Sequence, residues 1–370
     1  MNNPFSTYLE VNLKSLEHNY RFIRRQLKPN TKLLAVVKAF AYGHEAVAIA
    51  QTLEKEKVDY LAVAYVREGV NLRKAGIKTP ILVLHPQRDE AGICKDYRLE
   101  PNIYSFGILD NYLKNLISDH PNTLCPIHLK FNTGLNRLGF KPTDIKPLTD
   151  IIKANTSIKV QSVFSHLIAS EDLSLKALTR QQIVTYFDIV TKMEKALGYS
   201  FIKHLTNTSG TLNYPEAHFD MVRSGIGLYG YGNDDRWTQH LKPVGKLYST
   251  ITQIHEVKSG ESVGYNQGYI AEQLTRSATI PLGHADGIPR AWGKGKGYVS
   301  INGQQAPILG NVCMDMIMVD VTHIKCGEGD QVVVFDRQKT VEDIATNIGT
   351  ITYELLTNIS QRVPRVVISK

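Results

Sequence analysis

Along the first part of the chain, short apolar runs alternate with longer stretches whose apolar positions recur every three to four residues. The runs are Leu33–Val37, Tyr60–Ala64, Ile81–Leu84, Asn102–Tyr104, Ile127–Phe131, Val160–Phe164, Ile202–Thr206 and Met221–Val222. The helix-period stretches between them are Glu45–Glu54, Glu68–Ala75, Leu109–Ile117, Ile145–Ile152, Gln182–Ala196 and a shorter one near Thr211. Eight strand-like runs with helical spacers in about 200 residues predict parallel βα units. Eight such units close most economically into a (β/α)8 barrel, and a doubly wound open sheet is the alternative that the pattern leaves.

The texture changes after Tyr231-Gly232-Asn233-Asp234-Asp235. From Val244 onward β-branched and polar residues alternate, as in Tyr248-Ser249-Thr250-Ile251-Thr252-Gln253-Ile254, and turn signals recur at Ser259-Gly260, Asn302-Gly303 and Gly327-Glu328-Gly329-Asp330. One helix is expected near Val341–Ile348. The expected class is therefore α/β plus β: a barrel over residues 1–235, then a mainly-β domain over residues 236–370. The segment up to Glu10 is a candidate to pack with the second domain, and the absence of a low-complexity linker predicts two packed domains rather than tethered ones.

A length of 370 residues suits two cores. Hydrophobic content of 42% with 21% charged residues describes a folded globular protein. No apolar run reaches the ~18–20 residues that span a bilayer. Met1 to Glu10 lacks a basic n-region and an apolar h-region, so the expectation is a cytoplasmic protein without membrane association. Cys94, Cys125, Cys313 and Cys326 form no CxxC pair, which fits a reducing compartment and no metal site. The net charge of +8 is scattered rather than gathered into a basic stripe, which argues against a nucleic-acid partner. Small anionic ligands suit that balance better.

Functional groups in βα barrels collect at the carboxyl ends of the strands. There the chain places Lys38 closing the first run, Lys130 the fifth and His166 the sixth, with Asn207-Thr208-Ser209-Gly210 following the seventh and Arg223-Ser224-Gly225-Ile226-Gly227 following the eighth. Each has a plain structural reading: Lys38 as a lysine snorkelling from a strand end, His166 as a satisfied core histidine, Gly225 as a turn. Together they gather a desolvated lysine, an arginine and two small-residue loops of the kind that bind phosphate. A phosphate site beside a reactive lysine suggests pyridoxal 5′-phosphate.

The segment Val36-Val37-Lys38-Ala39-Phe40-Ala41-Tyr42-Gly43-His44 resembles the cofactor-lysine motif of the bacterial alanine racemases, pyridoxal-phosphate enzymes of fold type III. The resemblance continues through Lys130-Phe131-Asn132-Thr133-Gly134-Leu135-Asn136-Arg137, Val222-Arg223-Ser224-Gly225-Ile226-Gly227 and Val263-Gly264-Tyr265. It ends with Gly283-His284-Ala285-Asp286-Gly287, Asn311-Val312-Cys313-Met314-Asp315 and Ile359-Ser360-Gln361-Arg362-Val363-Pro364-Arg365, in family order over nearly the whole chain.

The resemblance implies that Lys38 holds the cofactor as a Schiff base and that two bases flank Cα of the amino acid, Lys38 for the D- and Tyr265 for the L-enantiomer. A tyrosine is ordinarily protonated near pH 7, so this role needs cationic or hydrogen-bonding neighbours. The resemblance also implies phosphate contacts from Tyr42, Thr208, Tyr353 and the amides of Gly225 and Ile226, with Asn207 beside them. It puts Arg137 at the phenolic oxygen and near the substrate carboxylate, His166 beside the ring, Arg223 at the ring nitrogen and the Met314 amide at the carboxylate. Lys130 matches a carbamylated lysine that orients Arg137. Tyr265 and the Cys313-Met314-Asp315 segment would come from the partner subunit of a homodimer with composite sites. The implied reaction interconverts L- and D-alanine and supplies D-alanine for peptidoglycan.

Phe40, Glu45, Asn132, Ser224 and His284 stand where the family usually has asparagine, glycine, aspartate, proline and tyrosine. His284 lies at the implied substrate entrance, and a histidine there can carry charge near neutral pH. A racemase of broader serine/alanine specificity and a non-catalytic cofactor-carrying barrel are the alternatives. Arg223 disfavours a decarboxylase, because related decarboxylases place an acid there. Cys313 reads as packing, and Asp286 and Asp315 as turn or cap residues.

Overall fold

The computed structural model describes residues 5–116 and 124–369, so the end of the expected helix at Ile117 lies outside the described residues. The chain divides into two units: a barrel unit of Leu16–Ala41 with Ala46–Leu241, and a β unit made of the residues up to Ser15, Tyr42–Glu45 and everything from Lys242 on. The division is thus not a single cut. The N-terminal strand and four residues after Lys38 count with the β unit.

In the barrel unit the strands are Lys32–Val36, Tyr60–Val63, Ile81–Val83, Glu100–Ile103, Cys125–Lys130, Ile158–Phe164, Ile202–His204 and Met221–Ser224. All pair in parallel and close into a ring, the last strand aligning Val222 with Leu33 of the first. Closure excludes the open doubly wound sheet. Each strand matches an apolar run to within two residues at either end, because strands covered on both faces read as continuous apolar runs.

The expected helices occur at Ala46–Lys55, Val66–Lys74, Phe106–Leu116, Ile145–Ala154, Lys176–Leu197 and Thr208–Asn213. Leu13–Arg25, Ala91–Asp96 and the short Asp235–Thr238 were not expected from the pattern. Leu13–Arg25 buries Leu16, Tyr20 and Ile23, an i, i+4, i+7 stripe, and the Asn12 side chain caps it by accepting from the Ser15 N–H at 3.0 Å.

The barrel interior is not purely apolar. Side chains alternate across a strand, so His128 and Lys130 share one face, as do Ser162 and Phe164. With His204 and Arg223 they form a buried polar and aromatic filling, in which Phe164 stacks on His204 with ring centres 4.8 Å apart.

The β unit holds a nine-stranded sheet in the order Gln253–Val257, Thr275–Ile280, Ile317–Asp320, Gln304–Leu309, Tyr298–Ile301, Gln331–Phe335, Gly245–Thr250, Tyr8–Asn12 and Arg365–Ile368. Its pairings are antiparallel except between the last two strands. Asn302-Gly303, with φ of 50° and 77°, makes the tight turn between Tyr298–Ile301 and Gln304–Leu309. Two helices, Gln338–Asn347 and Thr352–Thr357, interrupt the strands, where the pattern predicted one. A separate ribbon pairs Ser262–Val263 with Tyr269–Ile270. Among the described residues no helix is long and apolar enough to cross a membrane.

Candidate active site

Lys38 lies two residues beyond the first barrel strand, where the backbone turns left-handed. Ala39, Phe40, Ala41 and Tyr42 have φ of 53–54°, and Gly43 follows at 83°. For residues with a Cβ this conformation costs about 1–2 kcal/mol each, so neighbouring groups must hold it. Glu68 is one of them. Its carboxylate accepts from the Ala39 N–H at 2.6 Å, and also from the N–H groups of Ala64 (2.6 Å) and Tyr65 (3.1 Å) at the start of Val66–Lys74. Within the β unit, Arg365 donates to the Gly43 carbonyl at 2.7 and 3.1 Å. A Cβ at residue 43 would run into the Leu356 carbonyl, so only glycine fits.

The barrel unit collects cations around Lys38. Burial first, and Arg137 second, lower the Lys38 amine below its ordinary pKa, while Glu68 opposes them. Lys130, 7% exposed, falls to about 8 through burial and the positive charges of Arg137, Arg223 and Lys38. Arg223, 5% exposed, falls to about 10 through burial, with a smaller contribution from Arg137, and so stays charged at neutral pH. His166 is pushed well below its usual range by burial and then by the same four cations. It is neutral, and its Nδ1 accepts from Arg223 Nη2 at 3.1 Å, which leaves its hydrogen on Nε2.

Arg223 lies within the eighth strand rather than after it, and it is fixed from several sides. Nη2 donates to the carbonyls of Ser165 (2.8 Å) and Leu205 (3.0 Å), and Nη1 to His204 Nδ1 at 3.0 Å. Arg137 projects from a loop that closes on itself: the Phe140 N–H returns to the Lys130 carbonyl at 2.8 Å, and the Asn132 N–H to the Phe140 carbonyl at 2.9 Å. Asn132 organises that loop, its side-chain oxygen accepting from the N–H groups of Gly134 and Asn136 at 3.0 Å.

Asn207 is spent as a cap. Its Oδ1 accepts from the Gly210 N–H at 2.8 Å and from the Ser170 hydroxyl at 2.7 Å. The Thr208 hydroxyl oxygen accepts from the N–H groups of Gly225 (3.1 Å) and Gly227 (3.3 Å) and lies 3.2 Å from Ser224 Oγ. The Ile226 N–H has no protein acceptor among the described residues.

Four expected site residues fall in the β unit. The rings of Tyr42 and Tyr353 lie 6.1 Å apart, and burial drives the Tyr42 phenol strongly upward, so it remains a hydrogen-bond donor. Tyr265 is 72% exposed at the tip of the two-stranded ribbon. Its carbonyl accepts from Asn311 Nδ2 at 3.1 Å, which ties the tip to the segment leading to Met314. Met314 is exposed, and its N–H has no protein acceptor among the described residues. Asp286 and Asp315 both pair with Arg362, at 2.8 and 2.7 Å, and Asp286 also caps Gly283. Among the described residues no three His, Cys, Asp or Glu side chains gather as a metal site would require.

Glu68, His128, Ser162 and His204 are the participants that the sequence reading missed. Glu68 was detectable as an acid in the first turn of its helix, and the other three as polar residues inside apolar runs.

The model of the alanine racemase N-terminal domain matches residues 11–233, and that of the alanine racemase C-terminal domain matches residues 244–367. An alanine racemase of Desulforamulus reducens is 36% identical over 370 residues, 98% of both chains. Among solved structures, the alanine racemase of Clostridium difficile 630 superposes with a TM-score of 0.92 at 34% identity, covering 100% of this chain and 97% of that one. The alanine racemase from a D-cycloserine-producing Streptomyces lavendulae gives 0.93 at 30% identity, covering 100% and 98%. With both domain models matched in order over a closed barrel and a mainly-β unit, the chain belongs to the alanine racemase family of isomerases.

Proposed function

We propose that this chain interconverts L- and D-alanine with pyridoxal 5′-phosphate, supplying D-alanine for peptidoglycan. The observation that carries this is the crowd of Lys38, Lys130, Arg137 and Arg223: the Arg137 charge lowers the other three, Arg223 and Lys38 add to it at Lys130, and among the described residues Glu68 opposes it at Lys38. Such a cluster fits an anionic aldehyde cofactor and an amino-acid carboxylate, and a lysine whose pKa is lowered gives up its proton more readily for attack on the aldehyde. When bound, the cofactor supplies that aldehyde and a conjugated ring that spreads the charge left when Cα loses its proton.

The remaining work falls to the chain's own groups. Inversion at Cα needs one base on each face, the roles given to Lys38 and Tyr265. Arg223 is assigned to the ring nitrogen. Because it keeps its own proton there, it offers a hydrogen bond and not a proton, which restrains side reactions that a protonated ring would favour. Neutral His166 is assigned beside the ring. The Thr208 hydroxyl, the Ile226 N–H and the phenols of Tyr42 and Tyr353 are assigned to the phosphate, with Asn207 and Gly225 shaping the loops. Arg137 and the open Met314 N–H are assigned to the substrate carboxylate, and carbamylated Lys130 would turn a repelling neighbour of Arg137 into an anion that orients it.

The exposure of Tyr265 and Met314 suits delivery to the site of a second copy, making the active form a homodimer. The test is D-alanine production from L-alanine by cofactor-loaded protein, run beside serine. Production from alanine with little from serine supports the reading. Production from neither refutes it.

A further inference from the structure

We propose that Glu100 is a positioning residue for Arg223, joined to it across the barrel interior by His128, Ser162 and His204. The inference rests on the assignment of Arg223 to the cofactor's ring nitrogen. The links are continuous: Arg223 Nη1 to His204 Nδ1 at 3.0 Å, His204 Nε2 to Ser162 Oγ at 2.8 Å, Ser162 Oγ to His128 Nδ1 at 2.5 Å and His128 Nε2 to Glu100 Oε2 at 2.7 Å. The side chains of His128, Ser162 and His204 are fully buried, whereas Glu100 keeps 14% of its side chain exposed. The Tyr60 hydroxyl, which accepts from Gln161 at 2.9 Å, is influenced by the same carboxylate: burial first, and that charge second, raise its pKa.

With both histidines neutral and Glu100 as its carboxylate, one arrangement of hydrogens satisfies every link. A guanidinium cannot accept, so His204 Nδ1 must accept and its hydrogen sits on Nε2. That hydrogen goes to Ser162 Oγ, which must then donate its own to His128 Nδ1. In that arrangement His128 carries its hydrogen on Nε2 and gives it to Glu100 Oε2. Every donor points from Arg223 toward Glu100.

Barrel interiors are ordinarily filled by branched apolar side chains, and a buried polar chain is tolerated only when each member is satisfied. This one is. It brings a counter-charge to a buried guanidinium that touches no carboxylate among the described residues, and it fixes which way Arg223 turns its hydrogens.

The test uses 15N-histidine-labelled protein, with and without pyridoxal 5′-phosphate, in wild type, Glu100→Gln, Ser162→Ala and the double variant. Nitrogen shifts should place the hydrogen of His128 and of His204 on Nε2. Glu100→Gln should move the His204 signals, although the two residues do not touch, and should lower kcat about tenfold with KM held within about twofold. In the Ser162→Ala background the same Glu100→Gln change should leave His204 unmoved. A hydrogen on His204 Nδ1, or unchanged His204 signals or unchanged kcat in Glu100→Gln, would overturn the proposal. Signals that behave as stated in a wild type that does not racemise alanine would instead sink the functional reading and leave the relay standing.

Discussion

Replacing Lys130 by methionine should stabilise the cofactor-free protein at neutral pH when carbon dioxide is excluded. Lys130 is 7% exposed, and its pKa falls from 10.5 to about 8. At about 1.4 kcal/mol for each tenfold change in proton affinity, carrying that proton costs the folded state roughly 3 kcal/mol. Its ammonium also sits 5.8 Å from the centre of the Phe164 ring, a contact that returns about 0.5–2 kcal/mol. The net gain expected for Lys130→Met is therefore about 1–3 kcal/mol at pH 7. The sign follows from proton counts. Between about 8 and 10.5 the unfolded chain holds a proton that the folded one has released, so wild-type stability rises with pH across that window. The advantage of the variant is full below about 8 and is gone above 10.5. Urea unfolding of both proteins across this pH range measures it, and bicarbonate should stabilise only the wild type. A variant equal to or weaker than wild type at pH 7, or a constant difference across the window, would refute the reasoning.

Gly43→Ala should cost about 2–4 kcal/mol, since it combines a left-handed φ of 83° with a collision at the Leu356 carbonyl, and thermal unfolding reads it. Glu68→Gln removes the charge that accepts from the Ala39 N–H and supports the Lys38 ammonium. It should cost about 1–3 kcal/mol and leave the Lys38 amine of the cofactor-free protein reactive to a lower pH than in wild type. Lys38→Ala and Tyr265→Phe, each inactive alone, should recover activity when mixed and re-dimerised, because one site of the mixed dimer would then be intact. No recovery in an exchange-competent mixture would contradict composite sites.

The barrel was legible because its strands are buried on both faces, so all eight apolar runs could be read directly. The Leu13–Arg25 helix was missed although Leu16, Tyr20 and Ile23 carry its stripe, because charged residues outnumber apolar ones around them. Local sequence gives no sign of the left-handed turn: Ala39, Phe40, Ala41 and Tyr42 all prefer other conformations, and tertiary contacts such as the Glu68 carboxylate hold them there. Lys38 and Arg223 were legible as chemistry, but not the setting of Arg223 inside a strand. The links from Arg223 to Glu100 run between neighbouring strands, and no spacing along the chain reveals which inward-facing residues meet.

Proton NMR of the cofactor-loaded protein with L-alanine in D2O, alongside polarimetry, shows whether one base stands on each face of Cα. Two bases predict loss of the Cα–H signal together with optical rotation decaying to zero. Exchange of the Cα proton with rotation retained would mean that a single face is served, and would contradict the account.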